Sequence, residues 1–86
     1  MNAQPRRPFL YWLHGDRIAA KLDAHHLTHG RFADHLGLSR SYWSQLVNRK
    51  RPLTPMVRTC LLGSRYLQGV PEDELWERVP ATASRE

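Results

Sequence analysis

Residues 32–46 read FADHLGLSRSYWSQL. Phe32, Ala33 and Leu36 recur at the three- and four-residue spacing of one helix face, and Gly37 follows, the residue best suited to a left-handed helix end. Ser39 then stands two positions on, as the cap of another helix, and Thr28 is the matching cap of the first. Projected at about 100° per residue, the second helix turns Trp43, Leu46 and Val47 to one side. Ser41, Ser44, Gln45 and Asn48 fall on the other, with Arg40 at the flank of the first turn. A connection as short as LGLS lets two short helices meet at a steep angle, and a small residue is needed where they cross. Ala33 supplies it, and Phe32, Leu36, Leu38, Trp43 and Leu46 are expected to fill the junction. The spacing thus predicts helix, tight turn and helix over residues 29–48.

Working outward, Pro8 to Leu13 (PFLYWL) is an apolar and aromatic block behind a basic QPRRP lead and before Gly15. It is expected to be a short helix or a packed arm within a basic, aromatic extension over residues 1–15. Asp16 is placed to cap a helix with Ile18, Ala19 and Leu22 on one side, ending near His25 and His26. Downstream, Thr54 and Pro55 form a strong start signal, because proline at the first helical position loses no hydrogen bond. That helix is expected to reach about Leu67, with Val57, Cys60, Leu61 and Leu67 facing inward and Gly69 as its stop. PEDELWERV, from Pro71, opens on proline and three acids, which favour a helix N-terminus through the dipole, and it offers Leu75, Trp76 and Val79 for packing. The predicted fold class is all-α: a compact bundle of about five short helices over residues 16–79, followed by a disordered tail over residues 80–86.

A chain of 86 residues is one small domain, able to bury only a little over ~60% of the surface its unfolded form exposes. A deep enzyme cleft is not expected. The single Cys60 has no intrachain partner and sits among apolar neighbours, so it is expected to fill core space in a reducing compartment. No apolar run approaches the roughly 20 residues of a membrane span, and the N-terminus lacks a cleavable signal pattern. Thirteen Lys and Arg oppose eight Asp and Glu, a formal net charge of +5. Their distribution says more than the sum. From His35 to Pro71 there is no carboxylate, while Arg40, Arg49, Lys50, Arg51, Arg58 and Arg65 carry positive charge. The acids gather at Glu72, Asp73, Glu74 and Glu77. A one-sided field of this kind attracts polyanions, among which a nucleic-acid backbone is foremost.

At FADHLGLSRSYWSQL, and on through SRSYWSQLVNRKRPLTP, the sequence resembles the helix-turn-helix of the lambda repressor and Cro (XRE) family, over roughly residues 17–79. The resemblance implies a recognition helix, residues 40–48, lying in the DNA major groove with its flanks on phosphates. The base-reading residues it implies are Arg40, Ser41, Ser44 and Gln45. Arginine can pair with guanine O6 and N7, glutamine with adenine N6 and N7, and serine with either base. Arg49, Lys50 and Arg51 fall on the loop that the family places along the backbone, where they bind phosphate without reading sequence. Thr28, His29, Arg31 and Thr54 lie at helix starts whose free amides attract anions, and Asn48 joins the phosphate set. Tyr42 has three options: a thymine methyl, a phosphate, or packing on the helix rim. The family often has glycine after the asparagine that ends this helix. Here that place is Arg49, so Asn48 is expected to take the left-handed cap itself.

Competing chemistries have weak support. His25 and His29 are four apart, but Thr28 starts a new helix between them, which breaks the face a zinc pair needs. No metal or other cofactor is expected. Ser39, Ser41 and Ser44 lack His and Asp at recognisable spacing, and there is no Gly-rich phosphate loop, so the chain reads as a non-enzyme. A unit this small reads about half a site, so a homodimer on near-palindromic double-stranded DNA is expected. Phe9, Trp12, Leu75, Trp76 and Val79 are the candidates for the dimer contact; alternatively PFLYWL folds back over the last helix. The reading is a small transcriptional repressor of the cytoplasm, acting on a bacterial or phage nucleoid. RNA polymerase and a cognate toxin are possible further partners. The competing class is a protein-interaction module, an adaptor or an antitoxin whose main partner is another protein.

Overall fold

The structure is a computed structural model that describes residues 9–80. The QPRRP lead and the tail after Pro80 lie outside the described residues. Along the chain run β1 (Phe9–Leu13), α1 (Gly15–Ala24), α2 (His29–Leu36), α3 (Arg40–Val47), α4 (Pro55–Leu62), a 3-10 helix (Arg65–Leu67), α5 (Glu72–Leu75) and β2 (Trp76–Pro80). The described residues are mostly helical. Contrary to the all-α expectation, β1 and β2 pair antiparallel as a two-stranded ribbon, from Phe9 opposite Pro80 to Leu13 opposite Trp76.

The helix-turn-helix forms where the apolar spacing predicts it. The Thr28 hydroxyl accepts from the Arg31 N–H at 3.1 Å, and the Ser39 hydroxyl from the Tyr42 N–H at 3.1 Å. Each satisfies one of the orphan donors of a helix start. Gly37 closes α2 at φ 77°, with its N–H on the Asp34 carbonyl and that of Leu38 on the Ala33 carbonyl. Phe32, Ala33 and Leu46 are fully buried and Trp43 nearly so. Leu36 and Leu38 are half-buried and pack against that core. The remaining core comes from α1 (Ile18, Leu22), Leu53 just before α4, α4 (Val57, Leu61), the 3-10 helix (Leu67), α5 (Leu75) and the strands (Leu13, Trp76).

Three boundaries differ from expectation. Asp16 is not the cap of α1; the helix begins at Gly15, and no side chain caps it. A tertiary bond holds this start instead: the His14 N–H donates to the carbonyl of Leu75, the last residue of α5, at 2.9 Å. A Cβ on Gly15 would stand 2.8 Å from the Val47 carbonyl oxygen, so the glycine permits α1 and α3 to approach. Next, α4 stops at Leu62 rather than near Leu67. The buried Ser64 starts a separate turn there, its hydroxyl accepting from the Tyr66 N–H at 3.2 Å. Cys60, expected to face inward, is only half-buried. Last, PEDELWERV is helical for a single turn and then becomes β2.

Phe9–Leu13 is thus a strand rather than a helix, and it folds back on the C-terminal segment, where β2 stands in place of the expected last helix. Aromatic residues suit a half-buried pleated surface, and β1 lays Leu13 and Tyr11 against Trp76, with the Tyr11 and Trp76 rings edge to face at 6.3 Å. Trp76 and Leu75 are consumed by this packing, at 5% and 1% exposure. They are therefore corrected from dimer candidates to core residues. Phe9, Trp12 and Val79 remain half-buried. Pro80, expected in the tail, is the last residue of β2. Among the described residues, no helix is long and apolar enough to cross a membrane.

Candidate nucleic-acid interface

The core clamps α3 by one side and leaves its other side polar. Trp43 meets Phe32 edge to face at 5.2 Å, and its indole N–H donates to His29 Nδ1 at 3.0 Å. An aromatic pair of this geometry contributes about 0.5–1.5 kcal/mol beyond its burial. Since Nδ1 accepts, the neutral His29 ring carries its proton on Nε2, at the exposed start of α2. The opposite side presents Ser41 and Ser44, both exposed, and Gln45, half-buried. Asn48 donates from Nδ2 to the Ser44 hydroxyl at 3.3 Å, so these two occupy one exposed row. Tyr42 is half-buried and packs against the core, which favours the helix-rim option for its ring.

Arg40 behaves differently from its neighbours. Its guanidinium bonds Asp34 at 3.0 Å and lies so close over α2 that a Cβ on Gly30 would meet it at 2.9 Å. In this arrangement it turns back over α2. Asp34 lies one residue before the carboxylate-free stretch, and only folding reveals that it faces that stretch.

The basic loop is likewise only partly free. Arg49 occupies the left-handed region at φ 57°, whereas Asn48 has φ −89°, so the expectation that Asn48 would take the left-handed cap is reversed. An arginine in a glycine-like conformation costs about 1–2 kcal/mol, and its contacts explain the tolerance. Arg49 Nε donates to the Leu13 carbonyl at 3.2 Å, and its terminal nitrogen pairs with Glu77 at 2.9 Å. Arg49 therefore ties the end of α3 to both strands, a structural role that the sequence does not advertise. Lys50 is exposed and makes no ion pair among the described residues. Arg51 donates from Nε to Gln45 Oε1, which joins the loop to the polar row. Thr54 caps α4, its hydroxyl accepting from the Val57 N–H at 3.2 Å while keeping its own hydrogen to donate. Arg31 is exposed at the first turn of α2. Arg58, by contrast, stacks on the Tyr11 ring at 3.8 Å, and a cation in that position belongs to the ribbon's packing.

Arg65, counted in the sequence only as one cation of the carboxylate-free stretch, belongs beside the site in the fold. Its terminal nitrogen donates to the Tyr66 hydroxyl at 3.2 Å, and this bond holds its pKa above the usual arginine value. With Arg31 and Arg40 it lines a cavity of about 520 Å³. No family model, curated protein or solved structure matches this chain.

Proposed function

We propose that this protein binds double-stranded DNA by laying α3 in the major groove, and that it acts as a small dimeric transcriptional repressor. One observation carries the reading: a Ser-capped helix is clamped by Trp43 and Leu46 along one side, presents Ser41, Ser44 and Gln45 on the other, and runs directly into Arg49, Lys50 and Arg51. Hydroxyl and carboxamide groups at that spacing suit base edges, and the adjoining cations suit phosphates. Lys50 and Arg51 are the freer phosphate ligands, because Arg49 is engaged by Glu77. Base reading falls to Ser41, Ser44 and Gln45, since Arg40 is turned toward Asp34. Of the residues suited to a dimer contact, Phe9, Trp12 and Val79 remain outside the fully buried core.

Selection of binding sites from a pool of random duplex DNA tests this directly. The expected product is a near-palindrome whose half-sites lie about one helical turn apart, the spacing a two-fold pair of recognition helices imposes. Recovery of no preferred sequence contradicts sequence-specific binding.

The second reading, a module whose main partner is another protein, is favoured by one feature. Trp12 and Val79 share a sheet face that the core does not cover, beside the Arg49–Glu77 pair. Under that reading, Trp12→Ala abolishes partner capture, and Lys50→Gln leaves it intact.

A further inference from the structure

Three arginines from three separate elements meet at one cavity. Arg31 comes from α2, Arg40 from the start of α3 and Arg65 from the 3-10 helix, and Leu27, His35 and Tyr66 complete the walls. Among the described residues, Asp34 is the only carboxylate lining this space, and it is paired with Arg40 at 3.0 Å. Three guanidinium groups against one carboxylate leave the cavity with excess positive charge. Bringing like charges together costs free energy that a bound anion recovers.

Arg65 is also held in place. Its guanidinium carbon lies 5.1 Å from the Tyr66 ring centroid, and the Tyr66 hydroxyl accepts its hydrogen bond. Tyr66 is itself fixed edge-on against His35 at 4.9 Å and Phe32 at 6.3 Å. His35 Nε2 in turn is hydrogen-bonded to the buried Ser64 hydroxyl at 3.2 Å. An arginine oriented in this way loses less side-chain entropy on binding than a free one.

The place of the cavity matters as much as its charge. It adjoins the first residue of α3, while Lys50 and Arg51 lie just beyond the last. At 1.5 Å per residue the eight residues of α3 span about 12 Å, close to the major-groove width of about 12 Å. Cations beyond both ends of a helix of that length match the two phosphate backbones that border one groove.

We propose that Arg31, Arg40 and Arg65 form a phosphate-binding site that grips the DNA backbone across the groove from Lys50 and Arg51. The proposal rests on the DNA-binding reading and deepens it: Arg40 becomes a backbone ligand, and Arg65, some 25 residues downstream in sequence, joins the interface.

The test is fluorescence anisotropy of the full chain on a labelled duplex across a salt series, with Arg65→Gln, Arg65→Lys and Lys50→Gln beside the wild type. Arg65→Gln is expected to weaken binding about fivefold on specific and random duplex alike, and to flatten the salt slope by about one. Arg65→Lys should return most of that slope, because the charge returns. If Lys50→Gln weakens binding while Arg65→Gln leaves affinity and slope unchanged, the proposal is overturned and the DNA reading survives. An Arg65→Lys variant as shallow in slope as Arg65→Gln overturns it too. If the wild type binds no duplex even at low salt, the DNA reading itself falls, and this site with it.

Discussion

Arg49 shows how one residue can carry two demands that conflict. Its backbone sits at φ 57°, where glycine is at ease, yet its side chain supplies the bonds to Leu13 and Glu77 that join α3 to the ribbon. Replacing it with Ala keeps the backbone penalty and loses the bonds, whereas Gly loses the bonds and relieves the penalty. Arg49→Gly is therefore expected to be more stable than Arg49→Ala by about 1 kcal/mol, and chemical denaturation of the two variants measures the difference. Equal stabilities would mean that the left-handed conformation costs nothing there. Asp34 sets a second conflict, since its carboxylate occupies Arg40 and faces the proposed phosphate site. An exposed ion pair contributes about 0.2–1 kcal/mol. Asp34→Asn is thus expected to tighten DNA binding about two- to fivefold, equally for all sequences. Weaker binding by this variant would show that the pair positions Arg40 productively. Neither role is legible in the sequence, because Asp34 and Glu77 lie outside the carboxylate-free stretch and approach it only in the folded chain.

Among the elements, the helix-turn-helix was the most legible, and the reason is local. Phe32, Ala33 and Leu36, the Gly37 turn and the Ser39 cap all act within a few residues of one another, so the sequence pattern and the physics coincide. The ribbon was illegible for the opposite reason. FLYWL pairs with WERVP across more than sixty residues, and neither strand carries a turn signal that points to the other. The single turn of α5 then exhausts the acidic start that suggested a longer helix. Trp43 links this level to function, since it holds α3 against α2 through Phe32 and His29. Trp43→Ala is expected to cost about 3–5 kcal/mol, which in a domain of this size lowers the melting temperature by at least about 10 °C. A melt followed by circular dichroism checks this, and an unchanged midpoint would show that the clamp on α3 lies elsewhere.

At the scale of the whole molecule, folding converts a linear charge pattern into a sided one. The ribbon and α5 draw the C-terminal acids toward Arg17 and Arg49, which pair with Glu74 and Glu77. Lys50, Arg51, Arg31 and Arg65 stay exposed around α3 without a carboxylate partner among the described residues. Under the proposed function, charge of this kind would concentrate DNA at the surface and leave the neutral row on α3 to discriminate among sequences. The central claim is that α3 is the contact face. Amide chemical-shift mapping of the labelled protein with a short duplex tests it most directly. The account predicts the largest shifts at Ser41, Ser44, Gln45 and Lys50. An absence of shifts on α3, with those at Trp12 and Val79 alone, would contradict it.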